Sequence, residues 1–128
     1  MLKTKDDIRT KIHLLISVFV VIPVALVYGF YPEVLFQVPV TEINQLNSLK
    51  ALMGVYLGFS YLWLSGVFSP RFLKAALMSN VVFMLGLGSG RLISLILDGF
   101  PSPLFTVGTA GELILGFYGL SVLYNEKK

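Results

Sequence analysis

The sequence predicts an all-α integral membrane protein, a four-helix bundle with up-down-up-down topology. Of its 128 residues, 55% are hydrophobic and only 13% are charged. The mean hydropathy of +0.80 is well above that of a soluble domain. The apolar residues form four long stretches separated by turn-forming residues, and a chain of this length has room for one domain, residues 1–128.

Each apolar stretch is long enough to cross a bilayer as a helix, because about 20 apolar residues span the hydrocarbon core. The first stretch contains Pro23, which we expect to kink the helix without breaking it. Its basic leader precedes a long apolar run without a small-residue cleavage site, so we interpret it as a retained anchor. The predicted spans are residues 12–31, 47–68, 72–97 and 104–124.

The connection between the first two spans, residues 32–46, is too polar to cross the membrane and too apolar for a solvated loop. We expect this segment to lie on the bilayer surface, with Leu35, Phe36 and Val38 inserted. The later connections, at 69–71 and 98–103, are rich in Pro, Ser and Gly and predict tight turns. Short turns make successive spans antiparallel neighbours.

Basic residues are distributed unevenly between the two ends of the predicted bundle. The end that carries both termini and the turn between spans two and three has eight of the ten Lys and Arg residues. These are Lys3, Lys5, Arg9, Lys11, Arg71, Lys74, Lys127 and Lys128. The positive-inside rule therefore predicts that both termini are cytoplasmic. A bacterial inner membrane is the expected location.

Four ionisable residues fall in or at the ends of spans, all in the half of the bilayer opposite the termini: Lys50, Arg91, Asp98 and Glu112. Charges inside a membrane are costly and often mark functional sites. We expect Arg91 to pair with Glu112, because a guanidinium matches a carboxylate, and Lys50 and Asp98 to complete a four-charge network. The network has three interpretations: a pair that only fixes helix register, a ligand pocket, and a proton relay or catalytic site.

Helical periodicity places small and polar residues on the same faces as these charges. Small residues mark the packing faces of membrane helices, so we expect these faces to point into the bundle. The residues predicted to support the site are Asn47, Tyr56, Asn80, Ser94 and Thr109. The residues predicted to pack helices are Gly54, Gly58, Gly86, Gly90, Gly116 and Gly119. His13, Tyr28 and Trp63 are predicted to lie at the membrane interface.

Several classes of function are disfavoured. The chain has no cysteine and one histidine, which argues against thiol chemistry, Cys- or His-based metal clusters and a Ser-His triad. We predict no catalytic residue, no metal site and no cofactor, although a bound lipid or quinone would suit the charged pocket. The Gly-rich run 86–90 lies inside an apolar span, which favours helix packing over a phosphate loop. No basic, aromatic-rich patch indicates nucleic acid.

One set of motifs resembles a known family. The motifs are Asn47-x-x-Lys50-Ala-x-x-Gly54-x-Tyr56, Pro70-Arg71, Ala75-Ala76-Leu77, Gly90-Arg91-x-x-Ser94-x-x-x-Asp98-Gly99-x-Pro101-Ser102, and Glu112. Together they resemble a family of small bacterial four-span membrane proteins catalogued as domain of unknown function 4345. The resemblance covers most of the chain and implies a four-helix membrane bundle, with no activity attached. Where that family has Arg in the second span, this chain has Lys50. A looser similarity to DoxX-like proteins, some linked to quinone-coupled redox enzymes, implies only the fold.

Two functions are compatible with these features. The first is a binding or accessory protein whose charged pocket holds a lipid headgroup, a quinone, a small anion or a partner subunit. The second is a small transporter or channel subunit that uses Arg91 and Glu112 as intramembrane charges and assembles through the Gly54/Gly58 or Gly86/Gly90 pair. Expected partners are membrane lipids and either further copies of the chain or a larger membrane complex. A purely structural bundle ranks third, and an enzyme is disfavoured.

Overall fold

The computed structural model describes the backbone of residues 5–126 and the side chains of residues 7–124. Lys3, Lys127 and Lys128, which contribute to the predicted orientation, lie outside the described residues. Within them the chain forms α1 (Lys5–Phe30), α2 (Pro32–Phe36), α3 (Ile43–Phe68), α4 (Pro70–Asp98) and α5 (Pro103–Glu126).

Four of these helices, α1, α3, α4 and α5, are long and apolar enough to cross a membrane. This confirms the predicted all-α four-helix bundle. Packing is extensive between α1 and α3, between α3 and α4, and between α4 and α5, whereas α1 packs much less on α5. The helices therefore form a ring whose weakest side lies between α1 and α5. We call the end that carries residues 31–42 and 99–102 the loop end, and the opposite one the termini end.

Local signals at the helix ends extend the helices beyond the predicted spans. α3 begins at Ile43 rather than at residue 47, because the Glu42 carboxylate accepts a hydrogen bond from the Gln45 backbone N–H (3.1 Å) and caps the helix. α4 starts at Pro70, whose missing N–H is tolerated in a first turn. Gly99 ends α4 with φ 100°, a conformation that favours glycine.

The connection between α1 and α3 differs from the predicted surface segment. Its first part is the short helix α2, and residues 37–42 are irregular. Leu35 is buried against the bundle rather than inserted into lipid, and its carbonyl accepts a hydrogen bond from the Ser102 hydroxyl (2.6 Å). Phe36 packs its ring on Phe105, with centroids 5.1 Å apart, while Val38 is exposed. The segment therefore covers part of the loop end.

The predicted packing face of α3 is wrong. Asn47, Lys50, Gly54 and Gly58, which share that face, all lie on the exposed side of the helix. The buried side carries Tyr56, Ser60, Trp63, Gly66 and Val67 instead. Aromatic contacts explain this choice, because rings from α3 pack edge-to-face on Phe83 of α4 with centroids about 5 Å apart. Larger rings give α3 more contact area than its small-residue side could.

Only some of the predicted packing glycines allow helices to approach closely. A Cβ on Gly116 would lie 2.6 Å from Leu85, and one on Gly119 would lie 2.8 Å from His13 Nε2. By contrast, Gly54, Gly58, Gly86 and Gly90 face open space, so their predicted packing role within the bundle is wrong. Close approach also occurs at Gly88, which lies in the run 86–90 that favoured helix packing, and at Gly29 and Gly66, which the sequence did not single out for packing.

Candidate functional site

Arg91 of α4 and Glu112 of α5 meet inside the bundle, as their types and positions predicted. Arg91 Nε lies 2.9 Å from Glu112 Oε1, and the two side chains are 21% and 15% exposed. Neither atom has a hydrogen bond of good geometry, so the contact is an ion pair in which the N–H is not directed at the oxygen. Each charge offsets the cost of burying the other.

Two aromatic residues complete the surroundings of the guanidinium. Arg91 Nη2 donates a hydrogen bond to the Tyr28 hydroxyl (2.5 Å), which ties α4 to α1. The guanidinium carbon lies 5.2 Å from the centroid of the Phe105 ring on α5, in cation–π range. Arg91 thus contacts α1 and α5, the two helices that flank the weak side of the ring.

Tyr56 of α3 adds a fourth polar side chain. Its ring packs edge-to-face on Tyr28, with centroids 5.6 Å apart, and the residue is 2% exposed. Its hydroxyl lies near the guanidinium of Arg91 but has no hydrogen-bond partner of good geometry among the described residues. We call Tyr28, Tyr56, Arg91 and Glu112 the polar cluster. All four spanning helices contribute one member each.

The polar cluster forms part of the lining of a cavity of about 310 Å³. The remaining lining is apolar and comes mainly from α1, α4 and α5: Val20, Val21, Val24, Leu35, Phe83, Met84, Leu87, Leu104, Phe105, Val107, Gly108, Gly111 and Leu115. An apolar cavity with a few convergent polar groups is the usual form of a small-molecule site. The volume is at the small end of the range for such sites.

The cavity opens between α1 and α5. The lining residues with exposed side chains are Val20 on α1 and Leu104 and Val107 on α5. Gly108 and Gly111 contribute to this opening, because a Cβ on either would meet no atom within 4 Å. In a membrane, an opening between two spanning helices faces lipid rather than water.

Toward the termini end the bundle is filled. Leu14, Trp63, Leu77 and Val122, one from each spanning helix, are almost completely buried there. The Trp63 indole N–H donates to the Ser79 hydroxyl (3.1 Å), so its polar atom is satisfied. The cavity therefore does not continue as a channel through the described part of the chain.

Lys50 and Asp98 do not join the ion pair, so the predicted four-charge network is wrong. Lys50 is exposed and its ammonium lies 5.8 Å from the centroid of the Phe30 ring. Asp98, also exposed, accepts a hydrogen bond from the Ser94 hydroxyl (2.9 Å). Both residues lie near the loop end, where their side chains can reach water and need no buried partner.

Some of the residues predicted to support the site lie in it, and others lie outside it. Tyr56 belongs to the polar cluster, whereas Asn47 and Ser94 are exposed and lie outside it. Thr109 is buried on the face of Glu112, but its hydroxyl donates to the Phe105 carbonyl of its own helix (2.9 Å). Asn80 lies elsewhere, with His13.

His13 and Asn80 form a second buried polar group nearer the termini end. His13 Nε2 donates to Asn80 Oδ1 (2.7 Å), and both residues are almost completely buried. His13 is therefore not the interface residue that the sequence predicted. Gly119 leaves the space that the imidazole occupies. Ser17 and Ser60 are also buried, and their hydroxyls have no hydrogen-bond partner among the described residues.

Tyr28 and Phe105 are the site residues that the sequence analysis missed. Tyr28 was predicted to lie at the interface because it is close to the end of an apolar span. Tyr28 shares a helix face with Val21, seven residues earlier, but the burial of that face is known only from the structure. Within the described residues, no three His, Asp or Glu side chains could hold a metal ion.

Comparison with known proteins places the chain in a family. Residues 9–123 match the family model described as Domain of unknown function (DUF4345). The chain belongs to this family. The match includes α3, α4, most of α1 and α5, and every member of the polar cluster, which confirms the resemblance seen in the motifs. No curated protein and no solved structure matches the chain. Membership of this family carries no assigned activity.

The ion pair can be tested with a double-mutant cycle. Arg91→Ala and Glu112→Ala should each lower the free energy of unfolding by about 3 kcal/mol, because each leaves a partly buried charge without its partner. The double variant should lose less than the sum of the two single losses. Denaturant unfolding in mixed micelles measures all three, and Asp98→Ala is the control for removing an exposed carboxylate near the loop end. A loss in the double variant that lies within about 0.5 kcal/mol of the sum of the two single losses would contradict the pairing.

Proposed function

We propose that this four-span membrane protein binds a lipid-soluble molecule by its polar head. A lipid headgroup and the ring of a quinone are two such heads. The head occupies the cavity beside the polar cluster, and the apolar remainder extends into the bilayer between α1 and α5. The observation that carries this proposal is the side opening of an apolar cavity whose few polar groups all belong to the polar cluster. A molecule dissolved in the membrane reaches such a site without crossing water.

The same features make a small free anion a poorer candidate. Apart from the polar cluster, the lining consists of apolar side chains and two glycines. A small anion would also have to leave water for a site whose only cation already faces a carboxylate. Desolvation of an ion is expensive unless a new counter-charge replaces its hydration.

A transporter or channel subunit is less well supported. Such a protein needs a continuous path, but the buried Trp63, Leu77 and Leu14 fill the bundle beyond the cavity. A purely structural role for the ion pair is also less well supported, because close-packed interiors contain few voids larger than a water molecule. A pair that only set helix register would not require a cavity of about 310 Å³ beside it.

A plug in the opening tests the binding proposal. Gly108→Leu and Gly111→Leu should fill the cavity mouth without a steric clash at Cβ, since no atom lies within 4 Å of that position. Native mass spectrometry after extraction in a mild uncharged detergent should show a bound molecule on the unmodified protein and a several-fold lower occupancy on either variant.

Gly86→Leu is the matched control for this test. Gly86 also faces open space, but it lies on α4 and does not line the cavity. The fraction of the Gly86→Leu variant that carries the bound molecule should equal that of the unmodified protein. An unmodified protein that carries no bound molecule, or equal loss in all three variants, would contradict the proposal.

The proposed orientation has cytoplasmic termini in a bacterial inner membrane, with the polar cluster in the outer half of the bilayer. The uneven distribution of Lys and Arg supports it. Since the chain has no cysteine, a single introduced cysteine reports on one position. Thr41→Cys at the loop end should react with an impermeant maleimide in intact cells, and Tyr124→Cys should react only after permeabilisation. The reverse pattern would contradict the orientation.

A further inference from the structure

The polar part of the cavity lining combines one full positive and one full negative charge. Arg91 and Glu112 face each other at 2.9 Å, and the other charged residues near the loop end are exposed and outside the cavity lining: Glu33, Glu42, Lys50 and Asp98. For a charged ligand head, the residue of opposite charge is therefore already paired, and a residue of the same charge lies beside it. An uncharged head avoids this repulsion.

The pair still has hydrogen-bonding capacity to offer such a head. Of the five guanidinium N–H groups, the one on Nε faces Glu112 and one on Nη2 donates to Tyr28, so others can still donate, with the Tyr56 hydroxyl close to them. Guanidinium nitrogens only donate hydrogen bonds, so the complementary ligand atom is an acceptor. A carbonyl oxygen is an uncharged acceptor that an apolar molecule can carry into a membrane at modest cost.

The size of the cavity limits how much of the ligand it can enclose. A volume of about 310 Å³ is at the small end of the range for small-molecule sites, which is too small for a whole membrane lipid. The enclosed part is therefore a compact head, while the side opening between α1 and α5 leaves an attached chain in the bilayer. Phe83 and Phe105 supply flat apolar walls around that head.

We propose that the cavity selects an uncharged, lipid-soluble carbonyl compound, and that the Arg91–Glu112 pair sets this selectivity by balancing its own charge. This proposal rests on the binding function proposed above and names the ligand class for the same site. It makes Glu112 a specificity-determining residue, because its carboxylate cancels the guanidinium charge that would otherwise attract anions.

A competition experiment tests the selectivity. The probes are a long-chain methyl ketone, a fatty acid and an alkylamine of equal chain length, mixed in equal amounts with the delipidated protein in an uncharged detergent at neutral pH. Native mass spectrometry reads their relative occupancy. The ketone should be bound about tenfold more than either charged probe, a difference of about 1.4 kcal/mol. Higher occupancy by the fatty acid or the alkylamine would overturn the inference.

Charge substitutions make the test specific to the pair. Glu112→Gln leaves the guanidinium charge uncompensated, so this variant should bind the fatty acid in preference to the ketone. The double variant Arg91→Gln/Glu112→Gln should keep the ketone preference, because both charges are gone. Asp98→Asn is the matched control, since this carboxylate is exposed and does not line the cavity. It should keep the ranking of the unmodified protein, and a change to the fatty acid in Asp98→Asn as well would overturn the role of Glu112.

The outcomes separate the two proposals. If a charged probe binds best to the unmodified protein and Gly108→Leu abolishes its binding, the cavity binds a ligand but the selectivity inference fails. If no probe binds and the plug changes nothing, the binding proposal itself fails. Should Glu112→Gln not fold, the ranking on the unmodified protein still decides the selectivity.

Discussion

The ion pair between Arg91 and Glu112 is the constraint on which the loop end of this bundle depends. A charge within a spanning helix is tolerated only if it finds a partner, and each of these two residues supplies the other. The pair fixes the relative position of α4 and α5, and the remaining nitrogen contacts of Arg91 extend the constraint to Tyr28 on α1. One electrostatic requirement thus connects three of the four spanning helices.

The same connection explains why a cavity can persist beside the pair. α1 and α5 pack weakly on each other, and Gly108 and Gly111 provide no side chains to close the gap. The loop end is held together through Arg91, while the termini end is filled by large buried side chains such as Trp63. Between these two regions, the described residues show no hydrogen bond or ion pair that joins α1 to α5. The space left there is apolar along most of its walls and has one cluster of polar groups, a combination that matches an amphipathic ligand.

Hydropathy and charge predicted the spans, the bundle and the meeting of Arg91 with Glu112, because the membrane restricts both backbone and charges. The inward face of α5 through Glu112, Gly116 and Gly119 also followed from the positions of small residues. The face of α3 could not be predicted in this way, since lipid is as apolar as a protein core and hydropathy does not distinguish them. Lys50 was misassigned because a charge near a helix end can reach water. Tyr28 was missed because tyrosine occurs both at interfaces and in packed cores.

The most direct test of this account is an experimental structure of the protein in nanodiscs of its native lipids, at a resolution that shows small molecules. The account predicts density for a compact head in the cavity, within hydrogen-bonding distance of the Arg91 guanidinium, and an attached chain that leaves between α1 and α5. A bundle in which α1 and α5 pack tightly over an empty, closed space beside an intact ion pair would contradict it.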